Sequence, residues 1–211
     1  MKKITFIILI LLIAGTGYYF LRKDNKPVLE DPNKQYKNSN TGISFTYPKN
    51  LTASTMDGVA ILHHDIPYKN TGPCDMMGDE KTYDRLTDFE MKIQIINKTL
   101  TETVKTLSPY IPQENFINDE LVSSPGFIDP TTIGNFSGFA IYEGAEGCGK
   151  TTYYLPIASN KTLVIANASI QALSGAIIQE KVNEVLAVPG VISREKNKEI
   201  FESIVQNLKI S

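Results

Sequence analysis

Residues 88 to 96 read DFEMKIQII, and no other stretch restricts the fold as much. Phe89, Met91, Ile93 and Ile95 alternate with Glu90, Lys92 and Gln94. Successive side chains of a strand point to opposite faces, so this segment has one apolar face and one wet face. That pattern belongs to an antiparallel strand with one side packed on a core. The shorter runs GISFTYP (42–48), VAILHH (59–64), GFAIYE (138–143), TTYYLPI (151–157) and TLVIANA (162–168) are rich in β-branched and aromatic residues, as strands are.

Helical spacing occurs in three places. Leu100, Val104, Leu107 and Ile111 form an apolar stripe, with Thr101 available as its cap. Ile177, Ile178, Val182, Val185 and Leu186 form a second, which stops at Pro189-Gly190. Ile200, Phe201, Ile204, Val205 and Leu208 form a third, preceded by Ser193 as N-cap. Residues 112 to 130 show no period. The expected fold class is α+β, an antiparallel sheet packed against helices.

A single N-terminal transmembrane helix is expected before that domain. Residues 4 to 20, ITFIILILLIAGTGYYF, carry no charge and lie between Lys2-Lys3 and Arg22-Lys23. Seventeen helical residues rise about 25 Å, near the lower limit for a bilayer core. Tyr18 and Tyr19 suit the headgroup level. Gly15-Thr16-Gly17 is a poor exit for a cleaved signal, which is the alternative reading. LIAGT approaches a lipoprotein box, but Thr16 stands where the lipidated cysteine would be. The organisation expected is an anchor over residues 1–23, a polar linker over 24–35 and an extracytoplasmic domain over 36–211. The short basic N-terminal stub places the domain outside the cytoplasm by the positive-inside rule.

Charge excludes one class of partner. The chain has 21 basic and 23 acidic residues; the first 23 positions hold four basic and no acidic ones, leaving 17 against 23 in the rest. No basic run or Arg-rich face appears, so nucleic acid is not expected as a partner.

The two cysteines, Cys74 and Cys148, both fall in the outside domain. An even count in an exported chain reads as one disulfide; the alternative is two unpaired thiols in a reducing compartment.

Gly144 to Thr151, GAEGCGKT, matches the G-x-x-x-x-G-K-[ST] phosphate-binding pattern through Gly144, Gly149, Lys150 and Thr151. A genuine phosphate loop passes from a strand into a helix whose N-terminus faces the phosphates. The following TTYYLPI is strand-like and carries Pro156, which would break such a helix in its second turn. The segment is therefore expected to be a hairpin loop, with its glycines supplying positive φ. Nucleotide binding through these residues is kept only as an alternative.

A soft-metal site, of the Cu(I) type, is a second alternative, using His63, His64, Cys74, Met76 and Met77. His63 and His64 are neighbours on a strand and face opposite sides, so they do not readily share one ion. No catalytic residues are singled out. The S-x-x-K match at Ser193–Lys196 lacks its companion motifs, and two histidines leave little material for a Ser-His-Asp triad. No cofactor is expected.

The opening strand GISFTYP after Tyr36, together with the closing EIFESIVQNLKI, resembles bacterial membrane-anchored exported proteins with a PsbP-like domain. The resemblance spans about residues 36 to 211 and departs at Leu51, where an aromatic residue often follows the Tyr-Pro turn. It implies an antiparallel sheet packed on helices, with the last helix running into a short final strand. It also implies a non-catalytic accessory or binding module beside a membrane, with an envelope protein as a partner. The fold analogy supplies no site.

Overall fold

The computed structural model describes residues 32–72, 74 and 82–211. The expected anchor (1–23), most of the expected linker, and Met76 and Met77 lie outside the described residues. Among the described residues, no helix is long and apolar enough to cross a membrane.

Twelve strands and three α-helices make up the described part. In chain order the strands are β1 (Asn33–Asn38), β2 (Ile43–Pro48), β3 (Thr52–Met56), β4 (Val59–Ile66) and β5 (Leu86–Ile96). Helix α1 (Leu100–Leu107) follows, then β6 (Phe116–Ile117), β7 (Glu120–Leu121), β8 (Ile128–Ile133), β9 (Phe136–Glu143), β10 (Gly149–Ala158) and β11 (Lys161–Ser169). Helices α2 (Gln179–Leu186) and α3 (Arg194–Gln206) and strand β12 (Lys209–Ile210) complete the chain.

Seven strands form one antiparallel sheet in the order β3-β4-β5-β11-β10-β9-β8. The alternating strand β5 lies inside it, where a strand must bury at least one face. A second sheet, β1-β2-β12, joins the two ends of the described chain, because Ile43 and Ser44 of β2 pair with Ile210 and Lys209. Tyr36 and Phe45 pair across β1 and β2 and stack with ring centroids 4.8 Å apart.

The large sheet is covered on both faces. On one side Phe89, Met91, Ile93, Leu155, Leu163 and Ile165 meet Ile43 and Phe45 of β2 and Ile200, Phe201 and Ile204 of α3. On the other side Ile128, Ile141, Tyr154 and Val164 meet Val104 of α1 with Ile111, Phe116 and Leu121. Each of these large apolar side chains contributes about 1.5–3 kcal/mol when fully buried. The α+β class and the antiparallel sheet are as the residue pattern implies.

Several local expectations are corrected. The linker ends sooner than expected, because Asn33, Lys34 and Gln35 already pair with Pro48, Tyr47 and Thr46. Edge pairing uses backbone groups, so a polar stretch such as NKQ can join it. Helix α1 is capped by Thr99, not Thr101: Thr99 Oγ1 accepts from the Glu102 amide, and the Glu102 carboxylate accepts from the Thr99 amide. Thr101 is instead buried within the helix. The helix stops at Leu107 because Ser108 precedes Pro109, which disfavours helical geometry, so Ile111 packs from a loop. Helix α2 begins at Gln179, leaving Ile178 as an N-cap residue that is 65 % exposed, while Val182 and Val185 carry the buried stripe. Ser193 caps α3 as expected, accepting from the Lys196 amide at 3.2 Å.

Candidate functional site

The GAEGCGKT segment connects β9 to β10. Strand β9 runs to Glu143 and β10 starts at Gly149, so five residues form the turn, two fewer than expected. Lys150 and Thr151 lie within β10, opposite Glu143 and Tyr142, and the chain continues as strand through Ala158. No helix N-terminus follows the lysine, and Lys150 Nζ lies 3.2 Å from the Glu143 carboxylate across the hairpin. The glycines serve backbone approach: a Cβ on Gly144 would strike the Cys148 carbonyl, and one on Gly149 the Glu143 carbonyl.

Cys148 at the turn is bonded to Cys74, with Cα atoms 5.6 Å apart. The bond ties the hairpin tip to the long loop between β4 and β5. A disulfide sulfur is not the thiolate that a Cu(I) site at Cys74 requires. The histidines also diverge. His63 Nε2 lies 3.9 Å from Asp65 on the more exposed side, while His64 turns inward to Asp88. Met76 and Met77, the remaining members of that alternative, are outside the described residues.

Asp88 is a functional group that the sequence pattern did not mark. The β4–β5 register pairs His64 with Phe89 and Asp65 with Thr87, so Asp88 is the extra residue of a β-bulge. The bulge turns Asp88 to the same side as Phe89 and buries it completely. Its Oδ1 lies 2.7 Å from His64 Nδ1, and its Oδ2 accepts from the Ile192 amide at 2.6 Å. Both oxygens are engaged, and the loop before α3 is thereby held to β5.

A second polar group lies on the opposite face. Ser108 Oγ donates to Glu143 at 2.9 Å and is also hydrogen-bonded to the Tyr154 hydroxyl, 2.7 Å away. Burial, with the Glu143 charge adding to it and the Ser108 bond opposing it, pushes the Tyr154 hydroxyl up to about 12. Burial raises the neighbouring Tyr110 further still.

Among the described residues, a cleft of about 660 Å³ on the α3 side of the large sheet has room for a ligand. Its floor is one face of β8 to β11: Thr131 and Ile133, Tyr142, Tyr153, and Asn167 with Ser169. Phe201 of α3, stacked on Tyr153 at 5.1 Å, closes one side. Ile170, Leu173 and Ser174 close another, and Gly147 of the stapled hairpin meets them there. A Cβ on Gly147 would run into the Ser174 side chain, so glycine is required for this wall. Gln171 Nε2 fastens the same wall by donating to the Glu146 carbonyl at 3.1 Å.

The polar groups of the cleft gather at the start of α3. Arg194, Asn197 and Lys198 are spaced i, i+3 and i+4, so they share one helix face, and all three line the cleft. Asn167 Nδ2 donates to Asn197 Oδ1 at 3.1 Å, while Asn167 Oδ1 is buried without a hydrogen-bond partner. Burial, with the Glu202 charge adding to it, raises the Tyr153 hydroxyl. The cleft therefore combines an aromatic and aliphatic floor with a few convergent polar groups, as small-ligand sites do.

None of the sequence-derived candidates lines this cleft; Cys148 only adjoins it, as the neighbour of Gly147 in its wall. One signal was present: Asn167 interrupts the apolar row of Leu163 and Ile165 on the inward face of β11.

No protein-family model matches this chain, and no curated protein matches it. Among solved structures, the chain is similar to the solution structure of cyanobacterial PsbP (CyanoP) from Synechocystis sp. PCC 6803. The two are 10% identical, with a TM-score of 0.40, and the alignment covers 90% of this chain and 99% of that one.

Proposed function

We propose that this chain is a non-catalytic binding or accessory module of the bacterial cell envelope, a PsbP-like domain held outside the cytoplasm by its N-terminal apolar segment. The observation that carries this reading is the cleft beside α3, whose hairpin wall is stapled by Cys74–Cys148. Disulfides persist in oxidising compartments, which supports an exported location. The closing helix and strand β12 return to β2, so the two ends that carry the PsbP-like resemblance meet in one sheet. Asp88 and His64 act as a clamp in this reading, since both Asp88 oxygens are already engaged.

The test uses the full chain in phospholipid nanodiscs, melted with a panel of small aromatic acids, amides and amines. A ligand that binds only the folded state raises stability by about 2.7 kcal/mol at a hundredfold excess over Kd. At least one class should raise the melting temperature of the native chain and leave Ser169→Trp, which fills the cleft, unmoved. No shift with any class, or equal shifts in both proteins, would remove the cleft as the binding site. Thiol counting on the same preparation should find none free before reduction and two after.

A further inference from the structure

We infer that the Cys74–Cys148 bond is a thiol–disulfide exchange site: an external dithiol opens it in the folded chain, and opening releases the cleft wall at Gly147 and Gln171. The switch acts on the wall itself, whatever the cleft binds.

The bond is placed where a thiol can reach it. Cys74 is exposed and Cys148 half-buried. Neither cysteine, nor any other residue of the 144–149 turn, belongs to the apolar clusters that hold the large sheet and its helices. Exposed disulfides are the labile and regulatory kind, whereas structural ones resist reduction. A disulfide also stabilises mainly by restricting the unfolded chain, so its loss leaves the native core contacts in place.

The turn that the bond holds is not a relaxed one. Glu146 has φ 52°, in the left-handed region that a residue with a Cβ enters at a cost in free energy. Such a conformation persists where surrounding contacts over-determine it. Here they are the Cys148 amide donating to the Ala145 carbonyl at 2.9 Å, the Tyr142 hydroxyl 3.4 Å from the Cys148 carbonyl, and the covalent tie to Cys74.

The same turn carries part of the cleft wall. The Glu146 carbonyl accepts from Gln171 Nε2 at 3.1 Å, and Gly147 lies so close to Ser174 that a Cβ would strike its side chain. Gln171 and Ser174 bracket one short turn, closed by the Ser174 amide donating to the Gln171 carbonyl at 2.9 Å. Leu173, Ser174, Gly175 and Ala176 line the cleft from there. When the 144–149 turn relaxes, the Glu146 carbonyl and Gly147 leave this wall together.

The exchange balances with the dithiol alone. One of its thiolates attacks the exposed Cys74 sulfur; the disulfide breaks and its electron pair leaves on Cys148 Sγ, which takes up a proton. The second thiol attacks the mixed disulfide and frees Cys74 as a thiol. The dithiol departs as a disulfide, having given two electrons and two protons to the cysteine pair.

The experiment is reduction of the full chain in phospholipid nanodiscs by dithiothreitol, without denaturant. Thiols are alkylated at intervals and counted by intact mass. Oxidised and reduced proteins are compared by far-ultraviolet circular dichroism and by hydrogen exchange, peptide by peptide. Both thiols should appear while the β5 amides stay protected and the dichroism is unchanged. Exchange should rise at least tenfold over 143–149 and 170–176, leave α1 and β5 unaltered, and return on reoxidation. Gln171→Leu should show the faster exchange over 170–176 already when oxidised and gain no more on reduction, while 143–149 still responds.

A bond that opens only in urea, or only as β5 loses protection, overturns the inference, because the staple is then purely structural. Reduction that frees 143–149 but leaves 170–176 unchanged overturns it as well, because the turn then does not govern the wall. Both comparisons use the native chain, so a misfolded Gln171→Leu does not hide the result.

Discussion

At the scale of single residues, two buried polar groups on opposite faces of the large sheet each make a testable contribution to stability. Asp88 joins His64 and the Ile192 amide at no solvent exposure. Asp88→Asn keeps the shape but removes the charge behind both hydrogen bonds, and should cost about 1–3 kcal/mol in urea unfolding. A change below 0.5 kcal/mol would mean that the clamp contributes nothing. Tyr154 makes a pH prediction. Its folded-state value, about 12, lies above the ordinary 10.0, so the folded state holds the phenolic proton after the unfolded chain has lost it. The stabilisation is therefore complete below pH 10 and lost as pH rises through about 12, an amount of roughly 2–3 kcal/mol. Tyr154→Phe should flatten that part of the stability curve and remove one late step from the ultraviolet titration of the tyrosines.

At the scale of elements, caps and staples decide where segments end. The Glu102 carboxyl is held below its ordinary 4.5 by the Thr99 amide and hydroxyl. Its stabilising effect is present above 4.5 and disappears as pH falls through the lowered value. Thr99→Ala should cost about 1 kcal/mol with most of that gap kept in acid, because the bond from the Glu102 amide to Thr99 Oγ1 does not titrate. The penalty of Glu102→Ala should instead shrink as the carboxyl protonates, and a pH-independent penalty would show that the Glu102 half of the box is idle. The Cys74–Cys148 bond spans 74 positions and should contribute roughly 4 kcal/mol, read as the stability lost on replacing both cysteines by serine. That double variant should also weaken ligand binding in the cleft, because Gly147 of its wall belongs to the stapled turn.

At the scale of the whole molecule, chain ends and distant strands are brought together to form what neither contains alone. Strands β4, β5, β9, β10 and β11 were legible as strands because each alternates or runs apolar over several residues. Strand β3 was not, since TASTM is almost wholly exposed, although Asp57-Gly58 before β4 is a hairpin turn signature with positive φ at both residues. Strands β1 and β8 escaped for a related reason: they are edge strands, and edge pairing is satisfied by backbone groups that every residue has; β12, too short to show a period, was implied only by the PsbP-like resemblance. The cleft assembles from β8 to β11, the loop after β11 and the first turn of α3. Only Asn167, polar on an inward row, hinted at it.

Periodicity alone settled the α+β class, the antiparallel sheet and the presence of three helices, because burial of one face must repeat with the geometry of the element. The same reasoning rejected a phosphate loop at Gly144–Thr151, since the residues after Lys150 favour a strand and include Pro156. The count of two cysteines already implied the Cys74–Cys148 bond; tertiary structure alone decided that Asp88 sits in a bulge, and that Asn197 of α3 comes into hydrogen-bond contact with Asn167 of β11. These are long-range juxtapositions. A local pattern records which face a residue shows, but not which distant face comes to meet it.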